Sequence, residues 1–166
     1  MRYSSHGCLV CGRDNPSGMG LSFEIGPDGG ARARWQPQER FTGLPATVHG
    51  GALLAVVDDA MWYAAYAQGG HTLTAEVTVR YRRPANPGET LMAHGWVQEH
   101  RGRLWRCAAD IRRAQDDAVL VEAHAVFLEP ASWTGAEADA GLVVETLDDA
   151  PDRARPRSGE ADAGHP

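Results

Sequence analysis

The chain has little of what would assign it to the more easily read classes of protein. Its 166 residues hold only three cysteines, an odd number that cannot complete a disulfide framework. No apolar run approaches the roughly 18 residues that a membrane-spanning helix needs, and the opening MRYSSHGCLVCG contains no uninterrupted apolar segment of the secretory kind. Basic residues are not in excess: 16 Lys and Arg stand against 22 Asp and Glu, a formal net charge of −6, with a pI near 5.6. That balance lacks the diffuse positive field with which a protein gathers nucleic acid or an anionic membrane. A cytoplasmic chain with neither nucleic acid nor membrane as partner is expected.

What is present is an average globular composition, 43% hydrophobic and 23% charged, in a length that suits one well-buried core. The first nineteen residues, with CGRDNPSGMG, carry turn chemistry and are expected to form a lead-in loop, with regular structure starting near Gly20. Leu21, Phe23 and Ile25 then alternate with polar neighbours, Pro27-Asp28-Gly29-Gly30 turns the chain, and Ala31, Ala33 and Trp35 alternate again, which predicts a hairpin. The stretch VHGGALLAVVDDAMWYAAYAQGG has the composition and closing glycines of a helix that is apolar nearly all round, hence central and covered on most sides. Leu73, Ala75, Val77, Val79 and Tyr81 alternate with polar residues in a long strand ended by Pro84. Further strands are predicted about 90–98, 104–112 and 118–128, separated by turn signals. Strands joined by short turns are mostly antiparallel, and one early apolar helix is buried only if the sheet curls around it, giving an α+β class. The domain is expected over 20–130; from 131 to 166 the chain turns to Ala, Asp, Glu, Gly, Pro and Arg and is expected to be a mobile tail, with the patch at 142–147 docking on the surface.

Three groups of residues invite chemistry. Asp58 and Asp59 lie inside an otherwise apolar helix, where an unpaired buried carboxylate costs several kcal/mol, so at least one has a reason to be there. Neighbouring helical residues point about 100° apart, so one can reach a site while the other meets solvent or a basic partner; the alternative is that both touch only the rim. His49-Gly50-Gly51 opens the same helix, where free N–H groups and the positive end of the dipole converge and glycine leaves room for a carbonyl. Two glycines before a helix also serve as a tight turn. Cys8 and Cys11 form a lone CxxC; His6 offers a third metal ligand, but no fourth is apparent, and packing under the first loop is the favoured reading. Trp62, Tyr63 and Tyr66 could line a pocket, although such spacing is more often core.

Taken together, VHGGALLAVVDDAMWYAA, TLTAEVTVRYRRP, CLVCGRDNPSGMGLSFE and the turn at Gly102-Arg103 resemble the hotdog-fold acyl-CoA thioesterase superfamily, in particular its phenylacetate-pathway-type branch, over about residues 8 to 129. The resemblance implies a hotdog fold, a curled antiparallel sheet around one long helix, and hydrolysis of an acyl-CoA or acyl-carrier-protein thioester without metal or organic cofactor. It implies that the amides of Gly50 and Gly51 after His49 polarise the carbonyl, that Asp58 rather than Asp59 is general base or nucleophile, and that Thr74 assists. His49 then contacts the thioester or holds the loop. Gly102, Arg103, Arg82 and Arg83 are the implied contacts to the thiol half. Some relatives carry an Asn where this chain has Gly43, so water placement is expected to differ. The resemblance further implies a homodimer or homotetramer, with the His-Gly-Gly end of one copy facing the Asp and Thr of another. A hotdog dehydratase or hydratase, or a non-catalytic acyl-binding subunit, are the competing readings.

Overall fold

The computed structural model describes residues 1–131 and 142–145. The strands are β1 (Arg2–Ser5), β2 (Phe23–Ile25), β3 (Ala31–Trp35), β4 (Thr42–Leu44), β5 (Thr47–Val48), β6 (Leu73–Tyr81), β7 (Leu91–Arg101), β8 (Leu104–Arg113), β9 (Val119–Leu128) and β10 (Leu142–Glu145). The helix α1 runs Gly50–Tyr66 between β5 and β6. Eight strands form one sheet in the order β10-β1-β2-β3-β7-β8-β9-β6, every neighbour antiparallel, while β4 and β5 make a separate small hairpin.

The alternation that marks the strands also decides what faces the helix. Trp105, Cys107, Ala109 and Ile111 of β8 and Val121, Ala123, Ala125 and Phe127 of β9 are buried, with more exposed residues between them except at Ala108, which is buried as well. Their partners on α1 are Leu53, Val56, Val57, Ala60, Met61 and Ala64, all buried. Small residues on both surfaces bring the two backbones together: a Cβ on Gly95 of β7 would lie 2.3 Å from the carbonyl oxygen of Ala60. The helix that reads as apolar all round is therefore central because the sheet curls over it, as expected.

Three features depart from the sequence reading. The first nineteen residues are not simply a lead-in loop. Arg2–Ser5 is a strand paired with β2 on one side and β10 on the other, and Val10 and Cys11 are buried in the same core as the helix. RYSS is too polar to read as a strand by itself; it is one because its neighbours supply the ladder. Second, β6 does not pair with β7, its successor. It lies at the far edge beside β9, so residues 82–90 cross the end of the helix, where the Val48 amide donates to the Ala85 carbonyl at 2.8 Å. Third, within the patch expected to dock, Leu142–Glu145 does so not on the surface but as edge strand β10 of the main sheet; the rest of the expected mobile tail falls outside the described residues. Among the described residues no helix is long and apolar enough to cross a membrane.

Candidate active site

The helix begins where His49, in extended backbone geometry (φ −59°, ψ 132°), acts as N-cap. Its Nδ1 accepts a hydrogen bond from the Gly51 amide at 2.8 Å. That bond commits Gly51, so of the two glycines only Gly50 keeps an amide at the helix start with no acceptor within the helix. It also fixes the proton of the neutral ring on Nε2. The imidazole fills the space beside Gly43: a Cβ there would lie 2.8 Å from His49 Cδ2. The departure from Asn at position 43 is thus matched by the placement of His49. Tyr81, at the end of β6, donates its hydroxyl to the Gly50 carbonyl at 2.8 Å. A cleft of about 330 Å³ opens here, lined by Gly50, Leu53, Tyr81, Arg82 and Arg83 among others. The crossing segment after β6 brings the two arginines to it. Arg82 is paired with Glu122 at 2.7 Å.

Two turns further along the helix, half-buried Asp58 accepts a hydrogen bond from Thr74 Oγ1 at 2.9 Å. A β-bulge between Thr74 and Glu76 is the local irregularity that accompanies this placement at the start of β6. Burial raises the Asp58 carboxyl above the usual range, the Thr74 hydroxyl opposes that, and the nearby Cys8 adds to the rise. Asp58 and Thr74, both implied by the family resemblance, are brought together, whereas Gly50 is eight residues and about 12 Å away along the helix axis. Gly102 and Arg103 lie on the β7–β8 turn, at the end of the sheet where Leu128 pairs with both Leu73 and Leu104. That is the Thr74 end of β6, not the Arg82 end. Gly102 has φ +57°, and Arg103 Nε donates to the Glu129 carbonyl at 2.7 Å.

Asp59 meets neither open solvent nor a base. Its Oδ2 lies 3.7 Å from Cys8 Sγ, and burial, followed by Cys8, lifts its carboxyl well above the usual range. The Cys11 thiol, by hydrogen bonding, holds Cys8 at about 5 against the opposing effect of burial, and Cys11 itself is raised by Cys8 and by burial. His6, the third ligand considered from the sequence, pairs instead with Asp14 at 2.7 Å. The aromatic residues of the helix serve packing: Tyr63 stacks on Phe23 at 4.8 Å, Trp62 on Tyr66 at 5.1 Å, and Trp62 Nε1 donates to the Thr72 carbonyl at 2.8 Å.

Comparison with known proteins agrees with this architecture. The chain is 28% identical over 95 residues to an acyl-coenzyme A thioesterase, THEM4, of Xenopus laevis, covering 57% of this chain and 43% of that protein. The rat THEM4 is 24% identical over 87 residues, covering 52% and 37% respectively; the chain spans less than half the length of these relatives. A solved thioesterase superfamily protein superposes with a TM-score of 0.71 at 30% identity, over 75% of this chain and 61% of that one. The Escherichia coli PaaI protein from the phenylacetic acid degradation operon shares the fold, with a TM-score of 0.63 at 21% identity over 67% and 84%. The model of the thioesterase superfamily matches residues 46–120. Those residues run from β5 through α1 to the start of β9, the elements that carry Gly50, Asp58 and Thr74, so the part of this hotdog-fold chain that is similar to the thioesterase superfamily is the part that holds the candidate site.

Proposed function

We propose that the protein hydrolyses an acyl thioester to a free acid and a thiol. The observation that carries this reading is the Asp58 carboxylate, half-buried on the central helix and held by Thr74 at 2.9 Å. A carboxyl raised by burial is suited to exchange protons near neutral pH. Asp58 takes a proton from a water that attacks the thioester carbon and passes it to the leaving thiolate, or it attacks as the nucleophile itself, expelling a thiolate that is protonated from water and leaving a mixed anhydride that a second water hydrolyses to the free acid. The oxyanion is met by the Gly50 amide at the positive end of the helix, and the C–S bond breaks as the thiolate leaves. Thr74 positions the carboxylate. His49 holds the loop: its Nδ1 is engaged by Gly51, which argues against a role as the base of a dehydratase. Neither a metal nor an organic cofactor enters this chemistry.

One carbonyl cannot touch both Gly50 and Asp58 of the same copy, about 12 Å apart along one helix. The site therefore forms between two copies, the helix start of one facing the Asp58 and Thr74 of the other, in a homodimer or a homotetramer built from such dimers. The thiol half is a CoA or carrier-protein pantetheine whose phosphates meet Arg82 and Arg83 at the cleft, with Gly102 and Arg103 contributing from the other copy. Thiol release from a panel of short-chain, aromatic and long-chain acyl-CoAs, followed with a thiol-reactive dye, tests the reading. The wild type releases thiol, and Asp58→Asn is slower by about 10²–10⁴-fold with fold and oligomeric state unchanged. Turnover retained by the variant would remove Asp58 from the mechanism. Tight acyl-CoA binding without release would favour the binding-subunit reading.

A further inference from the structure

The second carboxylate of the helix and the two cysteines of the N-terminal segment form a cluster that thioester chemistry does not use. Cys8 to Gly12 is a tight turn, closed by a hydrogen bond from the Gly12 amide to the Cys8 carbonyl at 3.0 Å. A side chain at position 12 would clash with it, since a Cβ there would sit 2.2 Å from the Cys8 carbonyl oxygen. This turn directs both thiols to one side, against α1. The Val10 amide donates to Cys8 Sγ at 3.3 Å, and the buried Tyr63 hydroxyl donates to Cys11 Sγ at 3.2 Å. Both are bonds that support a thiolate. Asp59 Oδ2 completes the group at 3.7 Å from Cys8 Sγ. One ligand atom from each of Cys8, Cys11 and Asp59 lies within 4.8 Å of the other two.

These separations suit a small tetrahedral cation. Zinc at about 2.3 Å from sulfur and 2.0–2.2 Å from a carboxylate oxygen sets its ligand atoms roughly 3.5–3.8 Å apart. The Cys8–Asp59 contact already has that length, and the mutual limit leaves a short contraction for the remaining pairs. Two soft thiolates with one carboxylate select a zinc-class divalent ion over calcium or magnesium. We propose that Cys8, Cys11 and Asp59 bind one such ion, with water in the fourth position, and that it clamps the N-terminal segment onto the central helix. Binding displaces the thiol protons to solvent. Tyr63 and the Val10 amide are supporting contacts, and Ser5, whose Oγ accepts from the Cys8 amide at 3.2 Å, holds the turn. The clamp accounts for a second Asp beside Asp58 and for a CxxC with no second pair in the sequence.

The test uses the full chain, reduced and stripped with a chelator, then titrated with Zn²⁺ against a chromophoric chelator and separately with Co²⁺. The expected result is one tightly held zinc per chain, a rise in Tm on zinc addition, and a cobalt form with a thiolate charge-transfer band and intense tetrahedral d–d bands. Cys8→Ser and Cys11→Ser should lose that charge-transfer intensity. Asp59→Asn, close to isosteric, should keep the thiolate band and weaken zinc binding by about 10–100-fold, at least the range seen when a contact supporting a metal ligand is removed. Circular dichroism of each variant shows that it has folded. Zinc bound as tightly by folded Cys8→Ser as by the wild type would overturn the assignment. So would a reduced wild type that fails to compete for zinc, a result that would leave the pair as packing or as a disulfide.

Discussion

Gly50 shows how much a single backbone position contributes. It is the first residue of the helix, where an N–H has no intrahelical partner, and its neighbour Gly51 is already held by the His49 side chain at 2.8 Å. The proposed oxyanion donor is therefore one amide, and it can be removed without disturbing the helix. Proline is well suited to the first helical position, and the residue before it must be extended. His49, with ψ 132°, already is. A Cβ at position 50 would come within 3.3 Å of the Tyr81 ring, which is half exposed and can shift by loosening its hydrogen bond to the Gly50 carbonyl. Gly50→Pro is expected to fold with a near-native Tm while kcat for thiol release falls about 10²–10³-fold. A normal rate in a folded Gly50→Pro protein would mean that another donor stabilises the oxyanion.

At the scale of elements, the fold depends on how closely α1 approaches β7. The two backbones touch at Gly95, where a Cβ would lie 2.3 Å from the Ala60 carbonyl oxygen, 2.4 Å from its carbon and 2.7 Å from the Met61 nitrogen. None of these is the end of a flexible side chain, so the helix would have to lift off the sheet. Gly95→Ala is expected to destabilise by about 1–3 kcal/mol or more, read as a lower midpoint in chemical denaturation. An unchanged midpoint would mean that this interface is looser than the contact distances require. The same packing sets the site, because a helix fixed on β7 holds Asp58 opposite the bulged start of β6.

For the whole molecule the telling surface is the edge strand β6. It is nine residues long and mostly exposed, with Leu73 and Tyr81 each 51% accessible. A long exposed edge is usually paired or protected. Both halves of the proposed site border this strand, Gly50 against Tyr81 and Asp58 against Thr74, so a second copy joined along it would unite them. Mixing separately inactive Asp58→Asn and Gly50→Pro chains is the direct test. After subunit exchange, half the dimers are mixed and each holds one intact site of two, so activity should return to about a quarter of the wild-type value. A mixture as inactive as its components, with exchange verified by mass, would place each site within one chain.

The sequence by itself determined the elements and their class. Period-two alternation in 73–81, 104–113 and 119–128 and an apolar helix after His-Gly-Gly are local patterns, and local patterns follow from which face of each element avoids water. It also singled out the pair Asp58 and Asp59 and the helix start, because a carboxylate in an apolar helix is costly and a helix N-terminus gathers free amides; the choice of Asp58 and the addition of Thr74 came only from the family resemblance. It did not reveal β1, whose four polar residues are a strand only through β2 and β10. Nor did it reveal that β6 skips β7 to pair with β9, or that His49 occupies the space beside Gly43. Along the chain, the metal-ligating side chain next to Cys8 and Cys11 is His6. The group that lies against Cys8 is Asp59, 51 residues away in sequence. Such meetings are decided by how the sheet curls around the helix, a property of the summed packing that no segment carries alone.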